Sequence, residues 1–157
     1  MKVLRFVLIV LFMSMIAPAF AQDTDTANME ILREKMKADK KLVVAANMGL
    51  TDAEGQKFWP IYDEYQRDLK KVNDKMTKVI TTYADAYNKG PVTDEVAKDL
   101  MRDAMNVEEA ELKLKRKYIP IVEKTLGAAK AARYMQIESK IRAAIKYELA
   151  DKIPLVK

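Results

Sequence analysis

The sequence contains no cysteine and no histidine at any of its 157 positions. Without thiols or imidazoles, the chain cannot form a cysteine nucleophile, a Ser-His triad or an ordinary zinc site. It also has no Gly-rich phosphate loop and no nucleophile elbow. The sequence therefore predicts a protein that is not an enzyme, with no catalytic residues, no cofactor and no metal. Because no disulfide can form, the fold must rest on packing alone.

Chain breakers are scarce, since the sequence has only four glycines and five prolines. Most of them separate segments whose apolar residues recur three and four positions apart, which is the spacing of an amphipathic helix. We therefore predict an all-α fold of four amphipathic helices joined by short loops. These helices are expected at about residues 27–47, 52–88, 93–125 and 128–150.

Two of the helix junctions resemble each other. At the first, Gly49 supplies a left-handed position that ends the first helix. Thr51 then caps the second helix, and Glu54 reaches back to complete a capping box. The segment Leu50–Tyr62 can be aligned with Leu126–Glu138, since each begins with leucine at a junction and has an aromatic residue eight positions later. This alignment indicates a weak internal repeat.

The second helix carries the strongest periodicity, because its apolar residues follow one another at spacings of three and four. Such a seam is typical of a coiled coil. Long amphipathic helices joined by short loops pack antiparallel, so we expect two helical hairpins in a bundle or cradle, bent at Pro60 and Pro120. Seams this long could also be shared between two chains, so a monomer and a homodimer both stay open. The seam residues are Phe58, Tyr62, Tyr65, Leu69, Val72, Met76, Val79, Tyr83 and Tyr87.

The only long apolar run lies at the N-terminus. Lys2 and Arg5 precede the apolar segment Phe6–Ile16, and an A-x-A cleavage site ends at Ala21. This layout is a secretory signal peptide, and the run is well short of the ~20 residues that a membrane-spanning helix needs. We expect an exported protein, cleaved after Ala21, whose residues 22–157 form a single domain. Neither stable membrane insertion nor nucleic-acid binding is expected.

The segment Leu50-Thr51-Asp52-Ala53-Glu54 resembles the motif of the LTxxQ-motif family, the Spy/CpxP-like periplasmic proteins. Glu54 stands where the motif has glutamine, and the second junction, at Leu126, keeps only the leucine of a second copy. The resemblance implies a thin, bent four-helix cradle in the periplasm. It also implies an ATP-independent chaperone or envelope-stress modulator, whose partners are unfolded or envelope proteins bound without covalent chemistry.

The candidate contact residues for such partners are methionines and an aromatic residue near the predicted bends, together with a basic cluster. Methionine suits promiscuous contacts because it is flexible and polarizable, and basic groups attract acidic segments of unfolded chains. The candidates are Met48, Trp59, Met101, Met105, Lys113, Lys115 and Arg116.

Two other functions remain open from the sequence. The first is a structural or regulatory helical module that binds one specific envelope protein through its seams. The other, which ranks well behind the first two functions, is metal sensing. Met101 and Met105 lie one helical turn apart, and thioethers bind Cu(I). Such a site lacks a histidine, a cysteine or a third nearby methionine, so we predict no metal.

Overall fold

The structure, a computed structural model, describes residues 38–156. This part of the chain contains four helices and no strand, which confirms the predicted all-α fold. Among these residues no helix combines the length and the apolar character that crossing a membrane requires. The predicted signal peptide lies outside the described residues. The helices are α1 (38–48), α2 (Asp52–Lys89), α3 (Asp94–Leu126) and α4 (Ala128–Lys152).

Threonine residues cap the N-termini of α2 and α3, and the first of them, Thr51, is the predicted cap. Thr51 caps α2, with its hydroxyl accepting from the backbone N–H of Glu54 and the Glu54 carboxylate accepting from the backbone N–H of Thr51. Thr93 caps α3 in a similar way. Gly49 and Gly127 have φ angles of +59° and +82°, which residues with a Cβ adopt only with strain. Both glycines therefore allow one helix to end directly before the next begins.

Two prolines lie inside helices, Pro60 in α2 and Pro120 in α3. Both helices continue past them, so the missing N–H groups do not end either helix. The predicted bends at these residues stay predictions, as do the arrangement in two hairpins and the single domain over residues 22–157.

The described residues form two compact units. The first comprises residues 38–49 and Gln136–Pro154, that is α1 and most of α4. Within it, Lys40 donates to the carboxylate of Glu138 at 2.8 Å, and only 4 % of Glu138 is exposed. Burying a carboxylate this deeply without such a partner would be costly. The buried apolar residues of this unit are Val44, Met48, Ile141 and Leu149.

The second unit comprises Leu50–Met135, together with residues 155–156. Its main feature is a hairpin of α2 and α3, joined by a turn of four residues, 90–93. Asp68 of α2 contacts Lys117 and Tyr118 of α3. These residues lie at similar distances from the turn, so the two helices run antiparallel, as their length and short connection predict.

Candidate functional site

The half of the α2–α3 hairpin far from its turn is a closed aromatic core, which we call the base. Three rings come from α2 (Phe58, Tyr62 and Tyr65), one from α3 (Tyr118) and one from α4 (Tyr134). The Tyr134 ring lies 5.1 Å from that of Phe58 and 5.8 Å from that of Tyr65, both edge to face. Such pairs add stability beyond the area that they bury. All five residues are at most 3 % exposed because three helices surround them.

A polar network closes one side of the base. The carboxylate of Asp68 accepts hydrogen bonds from the Tyr118 hydroxyl at 2.9 Å and from the ammonium groups of Lys117 and Lys71 at 2.8 Å each. Hydrogen bonds to the two lysines and to Tyr118 favour the ionised carboxylate, so the pKa of Asp68 lies well below its usual range. Burial raises the pKa of Tyr118, whose hydroxyl stays protonated and donates. This network joins α2 to α3 and contributes to stability.

Two pairs of corresponding residues in the internal repeat, Glu54 with Lys130 and Phe58 with Tyr134, lie in contact. The backbone oxygens of Thr51 and Gly127 accept the first helical hydrogen bonds of α2 and α4, at 2.9 and 3.0 Å. Three residues on, Lys130 donates to both oxygens of Glu54 at 2.6 Å. The hydrogen bond from Lys130 is the largest cause that lowers the pKa of Glu54 to about 2, and the backbone N–H of Thr51 adds to it. Phe58 and Tyr134, in the base, are also counterparts.

The half of the hairpin next to the turn is open, although its apolar spacing continues unchanged. No residue of α2 after Val72 and no residue of α3 before Val107 is buried. Within this unit only two helices meet here, and two helices cannot cover both sides of their shared seam. We call this surface the open seam. Its half-buried apolar residues are Met76, Val79, Ile80, Tyr83 and Tyr87 on α2, and Val96 and Leu100 on α3.

Two of the predicted contact residues lie beside the open seam. Met101 and Met105 of α3 are 65 % and 68 % exposed, so both thioethers are accessible. Trp59 is half-buried, and its ring lies 5.1 Å from Phe58 and 5.5 Å from Tyr62, at the edge of the base. It therefore belongs to the closed half of the hairpin and offers only part of its ring for contact.

The prediction that Met48 is an exposed contact is wrong. Met48 is 0 % exposed and lies one helical turn after Val44, which is also fully buried. The two side chains share the inner face of α1, since residues four apart lie on one side of a helix. The thioether of Met48 is therefore not presented to solvent in this structure.

The predicted basic cluster is divided between the inner and outer faces of α3. Lys113 and Arg116 are exposed, whereas Lys115 is half-buried and donates to Glu111 at 2.8 Å. Lys117, at the end of the same basic segment, donates to Asp68. Lys117 is also exposed, but its ammonium group and that of Lys115 are each paired with a carboxylate, so the cluster is not one continuous patch of uncompensated positive charge.

The metal-sensing alternative depends on the thioethers of Met101 and Met105 and stays a prediction. Among the residues that the structure describes, no group of three or more Asp, Glu, His or Cys side chains could hold a metal ion. Comparisons of the chain with protein families, with curated proteins and with solved structures give no match. Function must therefore be inferred from the residues and their placement, above all from the open seam.

Proposed function

We propose that this protein is an ATP-independent periplasmic chaperone or envelope-stress modulator that binds unfolded or partly unfolded proteins. The observation that carries the proposal is the open seam, a run of apolar residues at coiled-coil spacing that stays half-exposed over about half of a long hairpin. Exposed apolar surface in a stable protein marks an interaction site. Here it would receive apolar segments that a client protein exposes before it has folded.

The chemistry of the seam suits weak binding to many sequences. The rings of Tyr83 and Tyr87 lie 5.8 Å apart with their planes tilted by 53°, and both present broad, amphipathic surfaces. Met76 lies within the seam and Met101 beside it, and methionine adapts its shape to different partners. Both helices carry acidic as well as basic residues, so charge attraction would be weak and without sequence preference.

Release from such a surface needs no chemical step. Binding depends on apolar contact and on the unfolded state of the client, so a client that folds buries its own apolar segments and leaves. This mechanism requires neither a nucleotide nor a catalytic group, which agrees with the absence of a phosphate loop from the sequence. The predicted signal peptide and the resemblance to the LTxxQ-motif family support a periplasmic setting.

The test is light scattering from a chemically denatured client diluted into buffer without ATP. Purified protein comprising residues 22–157 is added in near-stoichiometric amounts to two or three unrelated clients. We expect it to suppress aggregation of all of them. No suppression at a several-fold excess would contradict the proposal, and would favour a module that binds one specific envelope protein.

Matched variants locate the binding surface within the same assay. Tyr83→Ser changes the open seam, and Tyr147→Ser changes an exposed tyrosine of α4 that is 72 % accessible. Met101→Asp and Leu42→Asp form a second pair, with side chains exposed by 65 % and 67 %. We expect Tyr83→Ser and Met101→Asp to weaken suppression while their controls retain it. Equal loss in all four variants would show that the seam has no special part in binding.

A further inference from the structure

In the base, α4 shows how a third helix packs on α2. The ring of Tyr134 lies 5.1, 6.2 and 5.8 Å from the rings of three α2 residues, Phe58, Tyr62 and Tyr65. These three residues are spaced by four and then by three, so one side chain of α4 meets successive turns of α2. A residue of one coiled-coil helix enters a hole on its neighbour in this way. The interface shows that α2 accepts an aromatic side chain carried by a helix.

A triplet of the same spacing recurs in the open seam. Met76, Ile80 and Tyr83, which we call the open triplet, lie 18 positions further along α2 than the three rings of the base. Eighteen residues make five full turns, so the two triplets lie on the same side of the helix, about 27 Å apart. All three residues of the open triplet are half-buried. The pattern that receives α4 in the base thus continues where the second unit, as far as the structure describes it, has only two helices.

The facing part of α3 leaves room for a further side chain. Asp68 of α2 accepts from Tyr118 of α3, and the two helices run antiparallel. This register places Ala104 and Ala110 at the level of the open triplet, and both alanines are half-buried. In the base, by contrast, α3 contributes the ring of Tyr118, 5.2 Å from that of Tyr65. Because the α3 side of the open seam has smaller residues here, the groove between the helices can receive a large apolar or aromatic side chain.

The surface of the hairpin favours a partner that is itself helical. Within the seam, the backbone N–H and C=O groups of α2 and α3 are used by the hydrogen bonds of these helices, so neither helix offers a sheet edge to an extended chain. An extended segment pressed into an apolar groove would give up hydrogen bonds to water without replacing them. A helix satisfies its own backbone and presents only side chains.

We propose that the open seam selects client segments that form an amphipathic helix, and that such a helix packs on the hairpin as α4 does in the base. This inference rests on the proposed function and names the class of segment that the seam binds. The bound helix places an aromatic or large aliphatic residue at the open triplet, and further apolar residues three, four and seven positions away continue along the seam. A segment with apolar residues at every second position cannot place them on one side of a helix, and it binds weakly.

Three fluorescein-labelled peptides test the selection by fluorescence anisotropy. The first has leucine and phenylalanine at helical spacing among lysine, glutamate and alanine, and the second has the same composition with the apolar residues at alternating positions. The third is the first peptide with a central alanine replaced by proline, which breaks the helix. We expect the first peptide to bind at least about tenfold more tightly than the other two. Circular dichroism should show that it gains helix content in the complex.

Two matched variants locate the bound helix. Ile80→Ser changes the open triplet, whereas Ile119→Ser changes a 40 % exposed isoleucine in the half of α3 that belongs to the base. We expect Ile80→Ser to weaken binding of the first peptide by at least about fivefold, and Ile119→Ser to leave it unchanged. Urea unfolding checks that both variants fold. Equal binding by the wild type and both variants would overturn packing at the open triplet.

The aggregation assay, run with the same protein, separates failure of this inference from failure of the proposed function. Suppression of aggregation combined with equal binding of the first two peptides, or with binding of neither, would overturn helix selection without contradicting the chaperone function. Selective binding of the first peptide without suppression would support helix selection and contradict the chaperone function. Absence of both peptide binding and suppression would contradict both.

Discussion

The two halves of the α2–α3 hairpin have the same apolar spacing but differ in burial. In the base, a third helix adds Tyr134, and five aromatic rings are nearly or fully buried. Next to the turn, α2 and α3 meet without a third helix of this unit, and every seam residue stays half-exposed. Helical spacing thus determines which residues face the neighbouring helix. The number of helices present determines whether those residues are buried.

In the proposed function, the base provides stability and the open seam provides the binding surface, within one hairpin. Burial of aromatic residues in the base supplies the apolar contribution to the free energy of unfolding. The open seam contributes less to folding and keeps apolar surface accessible to other chains. A chaperone needs both properties, because its binding surface must stay exposed while the protein itself stays folded.

The largest loss of stability is expected when a ring is removed from the aromatic core of the base. Tyr134→Ala removes a fully buried ring that contacts Phe58, Tyr62 and Tyr65, and should reduce the free energy of unfolding by about 3–5 kcal/mol. Tyr83→Ala, in the open seam, should cost about 1 kcal/mol or less, because its ring is already half in water. Urea unfolding followed by circular dichroism measures both. Similar losses in the two variants would contradict the difference between the halves.

A smaller effect is expected from the polar network of the base. Tyr118→Phe keeps the ring on Tyr65 but removes the hydroxyl that donates to Asp68 at 2.9 Å. Since Asp68 keeps two lysine donors, we expect a loss of about 1 kcal/mol in urea unfolding. Tyr147→Phe, at an exposed position of α4, is the control. A loss as large as that of Tyr134→Ala would mean that the network, not ring packing, dominates the base.

The sequence predicts the helices and their caps well. Thr51 and Thr93 cap α2 and α3 because each hydroxyl precedes a helical run by the required spacing. Local signals of this kind depend on neighbouring residues alone. The ends of helices α2 and α3 lie within one residue of those expected.

Burial is less predictable from the sequence, because it depends on contacts between distant segments. Met48 and Met101 are both predicted contact residues, yet one is fully buried and the other mostly exposed. Lys130 lies 76 residues from Glu54, and nothing in the sequence around either residue predicts that the two side chains meet. The division of the hairpin into a closed and an open half follows from the placement of α4, which apolar spacing does not encode.

The smallest loss of stability is expected when the ion pair between Glu54 and Lys130 is removed. The pKa of Glu54 is lowered from 4.5 to about 2, so the folded state holds this charge where the unfolded chain takes up a proton. The resulting stability is complete above about pH 5 and is lost as the pH falls toward 2. Glu54→Gln removes the charge attraction to Lys130 but keeps an acceptor for the Thr51 cap.

Urea unfolding at pH 7, 4 and 3 tests this contribution. The stability of the wild type should exceed that of Glu54→Gln by a small amount at pH 7, and the difference should shrink at each lower pH. Lys130→Met should abolish most of the same pH-dependent difference. A difference between wild type and Glu54→Gln that is constant across pH would show that Glu54 acts through its cap alone.

The most direct test of the open seam as a binding surface is amide hydrogen exchange, followed by mass spectrometry, with and without a denatured client. Binding at the seam predicts added protection in peptides that cover residues 76–100, with no change in peptides that cover residues 55–69 of the base. Added protection confined to other regions, or no added protection while aggregation is suppressed, would contradict binding at the open seam.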